Sequence, residues 1–154
     1  MFKFIVIFEK IKYYYGRLYI KYITKEFGYF GASDISYPIT VKNPSNLHIH
    51  KGVKIGPNCL FGAFKKISIG NNSRISSNCI VETGSLDLGV RDFGEHIGSE
   101  ITIGENVWVG VGSIILSGVS IGNNSFIAAG SVVTINIPDN SIFKNNTIKK
   151  RHYE

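Results

Sequence analysis

The sequence predicts an all-β protein folded as a parallel β-helix, a coil of short strands in which each turn stacks on the turn before it. Ile or Val recurs at every sixth residue from Ile103 to Val133, and Val or Ser recurs four positions after each of the first five. Such a period matches neither an amphipathic helix nor the alternation of a sheet exposed on one face. The Gly, Asn and Ser residues in between tolerate tight corners. Repetition at this period is typical of a β-helix with a continuous apolar interior.

The same register extends towards the N-terminus and sets the number of coils. It is kept by Ile49, Ile55 and Phe61 and, after a two-residue insertion, by Ile69, Ile75 and Val81. With three six-residue units per turn, we expect four coils from about residue 49 to 138. A less regular coil precedes them, through Ile35, Val41 and Leu47. The interval from Val81 to Ile103 exceeds three units by four residues, which predicts a loop between about Glu82 and Glu100.

The two cysteines fall on the inward-facing small position of adjacent coils. Cys59 and Cys79 are one expanded coil apart, so we expect them to stack as buried free thiols. Two cysteines without a secretory signal predict a reducing, cytoplasmic setting.

The chain of 154 residues is expected to form one domain with two appended segments. In residues 1–28, apolar residues at helical spacing among lysines predict an amphipathic helix that caps the β-helix of residues 29–140. Weak peripheral contact with an acidic membrane is the alternative, because the apolar run from Phe4 to Phe8 is too short to span a bilayer. Residues 141–154 form a basic tail. The net charge of +6 favours an anionic partner, and no nucleic-acid-binding motif is present.

The repeat, the loop and the ending IGNNSFIAAGSVVTINIP (residues 121–138) resemble the hexapeptide-repeat acyltransferases. Within that family the chain is similar to small sugar O-acetyltransferases of the maltose and galactoside type and of capsule or exopolysaccharide clusters. The resemblance covers residues 30 to 145. It implies a left-handed coil, a homotrimer, and transfer of an acetyl group from acetyl-CoA to a hydroxyl of a sugar or polysaccharide precursor.

The resemblance also implies where acetyl-CoA binds, in a groove along the β-helix at the boundary between subunits. Relatives use the late coils for the pantetheine arm and place a Trp beside the thioester. The matching positions here are Trp108, Gly110, Val111, Ser113, Ala128, Gly130 and Ser131. Lys149 and Lys150 of the tail are candidates for the CoA phosphates. Asn58 falls where relatives carry an Asn that orients the acceptor.

The family's catalytic base is missing from its usual place. Relatives have a histidine in a Thr-Gly-His or Thr-Gly-Ser-His-Asp context, and on those two alignments this chain has Ser85 or Leu86. Acetyl transfer needs a base for the acceptor hydroxyl. We expect His96, in the same loop, to supply it, with Asp87 or Glu82 as alternatives.

Three other functions remain open from the sequence. A degenerate member would bind or act as a scaffold without turnover, and a related enzyme would acetylate the amine of an amino-sugar nucleotide. A metal enzyme resembling β-helical carbonic anhydrases is suggested only by His48 and His50, which flank Ile49. Because the further histidine spacing of that family is absent, no metal is expected.

Overall fold

The computed structural model describes residues 34–87, 89 and 94–151, with the backbone of Gly28–Tyr29. In the N-terminal region it describes five helical residues on one helix face, Ile11, Tyr15, Leu18, Tyr19 and Tyr22. The bounds of the predicted helix lie outside the described residues, so the cap stays a prediction. One contact supports it, because the rings of Tyr19 and Tyr37 meet edge to face with centroids 5.6 Å apart. No helix in the described ranges is long and apolar enough to cross a bilayer.

Five successive coils of three short strands confirm the predicted parallel β-helix. The first coil has β1 (Gly28–Tyr29), β2 (Asp34–Ile35) and β3 (Ile39–Lys42), and a 3-10 turn (Pro44–Asn46) follows it. The second has β4 (Leu47–Ile49), β5 (Lys54–Ile55) and β6 (Cys59–Gly62), and the third has β7 (Ile67–Ile69), β8 (Arg74–Ile75) and β9 (Ile80–Glu82). An antiparallel hairpin, β10 (Gly84–Leu86) and β11 (His96–Gly98), then leaves the coil within the predicted loop.

The last two coils resume the regular repeat. The fourth has β12 (Ile101–Ile103), β13 (Trp108–Val109) and β14 (Ile114–Ile115), and the fifth has β15 (Ser120–Ile121), β16 (Phe126–Ile127) and β17 (Val132–Val133). A final hairpin, β18 (Ser141–Lys144) and β19 (Thr147–Lys150), extends the sheet beyond residue 140, where the sequence places the start of the tail. The reason is that Phe143 pairs with Ile127 and is buried, which continues the apolar interior by one level.

The strands stack into three parallel sheets, one on each face of the coil. The first face has the order β1-β4-β7-β12-β15, the second β19-β18-β16-β13-β8-β5-β2, and the third β17-β14-β9-β6-β3. Residues in the first position of each repeat pair with one another across coils, as in Ile69 with Ile103 and Val81 with Ile115. All those predicted from Ile49 to Val133 are 0–1% exposed, so the core is a set of stacked aliphatic columns.

The corners explain the Asn and Gly content of the repeat. From the second coil to the fifth, one residue at each corner between the second and third faces has a positive φ: Asn58, Asn78, Gly112 and Gly130. Asn and Gly are the residues that adopt this left-handed conformation at low cost. These corners, which we call the second corner, run along one edge of the coil and are joined by backbone hydrogen bonds from one level to the next.

Cys59 and Cys79 stack at the inner side of the second corner as buried free thiols, as predicted. Each sulfur donates to a carbonyl of the following coil, Cys59 to Ser76 at 3.1 Å and Cys79 to Gly110 at 3.2 Å. The pKa of the Cys59 thiol is raised by its hydrogen bond with Cys79 and by burial. The same hydrogen bond lowers the pKa of Cys79 to about 7.

Candidate functional site

The residues predicted to form the site lie at opposite edges of the third face. Asn58 and the late-coil candidates from Gly110 to Ser131 lie at the second corner, whereas His96 lies in the hairpin at the other end of the same strands and Asp87 directly follows β10. Asn58 at one end and Gly62 at the other are four residue steps apart, about 13 Å at the usual rise of a strand. Within a single chain these two sets of candidate residues therefore stay apart.

Trp108 is half exposed on the outer surface of the second face, as the repeat predicts. Its Nε1 donates to the Ser76 hydroxyl at 3.0 Å, and the Phe126 ring packs edge to face at 5.3 Å. The Arg74 guanidinium lies 6.0 Å from the ring centroid. The indole is thus held in one orientation while its outer face stays accessible.

The late-coil candidates divide into exposed and buried residues. Val111 and Gly130 are exposed, and no atom lies within 4 Å of where a Cβ on Gly112 or Gly130 would stand. This edge can accept a ligand close to the backbone.

The side chain of Ser113 is not available for the predicted cofactor contact. It is fully buried, and its hydroxyl donates to the carbonyls of Gly110 and Ala128 at 2.8 and 3.1 Å. Inward-facing small positions are needed to close the corner, so this side chain does not reach the outer surface. Ser131 is half-buried and donates to the same Ala128 carbonyl at 2.6 Å. Its hydroxyl is also used within the coil.

Lys149 and Lys150 are exposed on β19, at the outer edge of the second face. Lys149 pairs with Ile142, which pairs with Phe126, which pairs with Trp108. The register places Lys149 on the same face as the exposed indole, three strands away.

Three side-chain hydrogen bonds fasten the base of the hairpin to the coil. The Ser117 hydroxyl donates to the Thr83 carbonyl and accepts from the Ser99 amide, both at 2.8 Å. The buried Thr83 hydroxyl donates to the Gly62 carbonyl at 2.7 Å. Both ends of the loop are therefore held in place.

A pocket of about 480 Å³ lies between this hairpin and the third face. Ligand sites of small-molecule enzymes have similar volumes, about 300–1,000 Å³. Its lining is Lys42, Asn43, Gly62, Phe64, Glu82, Gly84, Ser85, Leu86 and His96. The pocket combines one aromatic ring with acidic, basic and imidazole side chains.

His96 is exposed in β11 and pairs directly with Leu86 of β10. Opposite residues of an antiparallel pair project to the same side of the sheet. The imidazole therefore stands beside one of the two positions that correspond to the family's missing histidine. Its ring centroid is 6.5 Å from that of Phe64.

Glu82 reaches across Gly62 into the pocket. One carboxylate oxygen accepts from the Gly84 amide at 2.8 Å, and a Cβ on Gly62 would overlap the other. Glycine at position 62 is thus what makes room for the carboxylate.

The structure does not bring Asp87 or Asn58 into this pocket. Asp87 Oδ1 accepts from the Gly89 amide at 2.9 Å, which shapes the loop after β10. Asn58 has φ 60° and its amide donates to the Pro38 carbonyl, so it serves the corner.

Sequence reasoning missed several residues of the pocket, among them Lys42, Gly62 and Phe64. The two-residue insertion after Phe61 was the available signal for Phe64, because an insertion in a regular coil must bulge outward. Among the described residues, no group of three His, Cys, Asp or Glu side chains is placed to hold a metal ion.

Comparisons with known proteins agree with this architecture. Residues 100–134 match the family described as Bacterial transferase hexapeptide (six repeats). A putative acetyltransferase of Dictyostelium discoideum is 39% identical over 133 residues, which cover 84% of this chain and 70% of that protein. The chain belongs to the hexapeptide-repeat transferase family.

Other members of this family differ from the chain in length. A putative acetyltransferase of Schizosaccharomyces pombe is 38% identical over 72% of this chain, but the match spans only 55% of that protein. The maltose O-acetyltransferase of Clostridium difficile superposes with a TM-score of 0.78 at 33% identity, covering 86% of this chain and 73% of that one. A galactoside acetyltransferase in complex with coenzyme A has a TM-score of 0.74 at 30% identity, covering 82% and 65%.

Proposed function

We propose that this hexapeptide-repeat transferase is a CoA-dependent O-acetyltransferase that moves an acetyl group from acetyl-CoA to a hydroxyl of a sugar or polysaccharide precursor. The observation that carries the proposal is the position of His96, which faces Leu86 across the hairpin and lines a pocket of suitable size. The similarity to maltose and galactoside acetyltransferases supports the class of reaction.

In this mechanism His96 is the general base. Its imidazole takes the proton of the acceptor hydroxyl as the hydroxyl oxygen attacks the thioester carbonyl carbon. When the carbon–sulfur bond breaks, the imidazolium returns that proton to the departing sulfur, so an acetate ester and a free thiol are formed. Asp87 is the weaker candidate, because its carboxylate already closes a turn with Gly89.

The second corner fits the donor substrate. Its exposed edge is lined by backbone, with unobstructed space at Gly112 and Gly130, and Trp108 lies on the adjacent face. A narrow pantetheine arm can lie along such an edge and accept hydrogen bonds from backbone amides. Lys149 and Lys150 supply positive charge for the phosphates.

We further propose that the two sets of candidate residues meet between subunits of a homotrimer. The outer column of the third face is Leu60, Ile80, Ile114 and Val132, with Val111, Leu116 and Ile135 exposed near it. A contiguous apolar face of this kind is typical of a protein interface. Packing it against a second copy would bring one chain's second corner towards its neighbour's hairpin. The two free cysteines favour a reducing compartment such as the cytoplasm.

Two rival functions compete with this proposal. A binding or scaffold protein is favoured by Ser85 and Leu86 at the positions of the family's histidine. An N-acetyltransferase would use the same fold and donor, with an amino sugar as acceptor.

The first experiment is calorimetric titration with acetyl-CoA, followed by an assay of thiol release with maltose and a galactoside as acceptors. We expect saturable binding with one site per chain. His96→Ala should abolish acetyl transfer and leave acetyl-CoA binding unchanged. His48→Ala, which alters a half-buried histidine on the first face, is the matched control.

A second variant tests the position of the base. In the His96→Ala background, Leu86→His places an imidazole directly across the hairpin and should restore part of the activity. Full turnover by His96→Ala alone would remove this residue from the mechanism. No acetyl-CoA binding at millimolar concentration would favour the scaffold, and transfer only to amino sugars would favour the N-acetyltransferase.

A further inference from the structure

In the pocket, the basic Lys42 and the acidic Glu82 lie on either side of Gly62. Lys42, Gly62 and Glu82 are adjacent residues of one outward column, since Lys42 pairs with Gly62 and Gly62 with Glu82. Two strand spacings, about 10 Å, separate the Cα atoms of Lys42 and Glu82. Because Gly62 has no side chain, the space between the two charged residues is available to the Glu82 carboxylate and to a ligand.

Glu82 is held in place rather than free on the surface. It is half-buried, and the Gly84 amide fixes one carboxylate oxygen at 2.8 Å. A carboxylate fixed in this way can accept hydrogen bonds from a ligand at a defined position.

Phe64 forms an aromatic wall of the same pocket. Its ring packs against Gly98, where a Cβ would stand 3.0 Å from Cδ1, yet 42% of the residue remains exposed. Gly98 pairs with Gly84, and because neither glycine has a side chain, the Phe64 ring can pack against the backbone of the hairpin. An exposed aromatic ring beside fixed polar groups is a common feature of ligand pockets.

We infer that Glu82 is the residue that binds and orients the acceptor, and that the acceptor is a neutral sugar ring. The inference rests on the proposed acetyltransferase function and adds to it the specificity of the same pocket. The ring stacks its apolar face on Phe64 and donates hydroxyl hydrogens to Glu82, while Lys42 donates to a ring oxygen or hydroxyl. His96, across the pocket, meets the hydroxyl that is acetylated.

The pairing of charges argues for a neutral ligand. A sugar hydroxyl is both donor and acceptor, so one ring can satisfy Glu82 and Lys42 together. A charged sugar would be attracted to one of these two residues and repelled by the other, the acidic sugar by the half-buried Glu82 and the amino sugar by Lys42, whereas a neutral ring meets no repulsion. Like charges in such positions oppose binding.

The test measures sugar binding directly, without acetyl-CoA, by saturation-transfer NMR titration. The probes are methyl α-D-glucopyranoside, the corresponding methyl glucuronide and the methyl glucosaminide. We expect the glucopyranoside to bind most tightly. Glu82→Gln should weaken its binding about 10- to 100-fold, the value of a hydrogen bond to a charged group. The preference over the glucuronide should decrease in the same variant.

One further variant separates the carboxylate's position from its charge, and a second serves as the control. Gly62→Ala keeps the charge but displaces the carboxylate, so glucopyranoside binding should also weaken. Glu105→Gln, an exposed acid that accepts from Asn71 at 2.8 Å on another corner, is the matched control and should bind like the wild type. Urea midpoints of all variants establish that each is folded.

Unchanged binding of the glucopyranoside by Glu82→Gln would overturn the inference, as would tighter binding of the glucuronide or the glucosaminide. If binding depends on Glu82 but no acetyl group is transferred, the inference stands and the proposed enzyme activity fails. If transfer proceeds without dependence on Glu82, the activity stands and the inference fails.

Discussion

Ser117 holds the hairpin that carries His96, and its removal offers a quantitative test of the site. Its hydroxyl joins both ends of the loop to the fourth coil, donating to the Thr83 carbonyl and accepting from the Ser99 amide at 2.8 Å each. In Ser117→Ala both bonds are lost without a change of backbone. Each such bond contributes about 0.5–1.5 kcal/mol, so the free energy of opening the loop should fall by about 1–3 kcal/mol.

Amide hydrogen exchange measures this loss locally. A decrease of about 1–3 kcal/mol corresponds to exchange that is about 5- to 150-fold faster for the hairpin amides, with little change in the third-coil strands. The urea midpoint should fall as well, and acetyl transfer should decrease because His96 is less well positioned. Ser120→Ala, an exposed serine on the first face, is the matched control.

One result would refute this account of the loop. If the hairpin amides exchange at the same rate in Ser117→Ala and in the wild type, the two hydrogen bonds do not hold the loop. The preorganised position of His96 would then need another cause.

Two further predictions concern the coil itself. Gly70→Ala should destabilise the protein by more than Gly112→Ala in urea unfolding. A Cβ on Gly70 would stand 2.6 Å from backbone atoms of Gly104. A Cβ on Gly112 would meet no other atom, so Gly112→Ala incurs only the cost of a left-handed φ, about 1–2 kcal/mol. Equal losses of stability in the two variants would mean that the coils are not packed so closely at Gly70. Cys59 and Cys79 should not react with Ellman's reagent in the native protein and should both react in urea, since both are buried. Reaction of either in the native state at the rate of a free thiol would show that this corner opens.

The fold could be predicted from the sequence because a β-helix is built from local repeats. Every aliphatic residue predicted from Ile49 to Val133 is buried, and the loop leaves the coil where the register is interrupted. Each level contacts only its neighbours, so one correct period places all residues of a column. The exception was the end of the coil, because the step from Ile127 to Phe143 is shorter than three full units.

The candidate site was predicted only in part, for a physical reason. Trp108 and the second corner could be placed because they follow the repeat. The pairing of His96 with Leu86, by contrast, is a property of a hairpin outside the repeat, whose register no period specifies.

By itself, then, the sequence determined the coil, its inward columns, its corners and the position of its loop, since these depend on interactions repeated at a constant spacing. Its resemblance to a family supplied the handedness and the reaction class. Only the tertiary structure decided that Lys42, Gly62, Phe64, Glu82 and His96 line one pocket. These residues come from three coils and a hairpin, and side chains so distant in the chain are brought together by stacking and by hydrogen bonds such as those of Ser117.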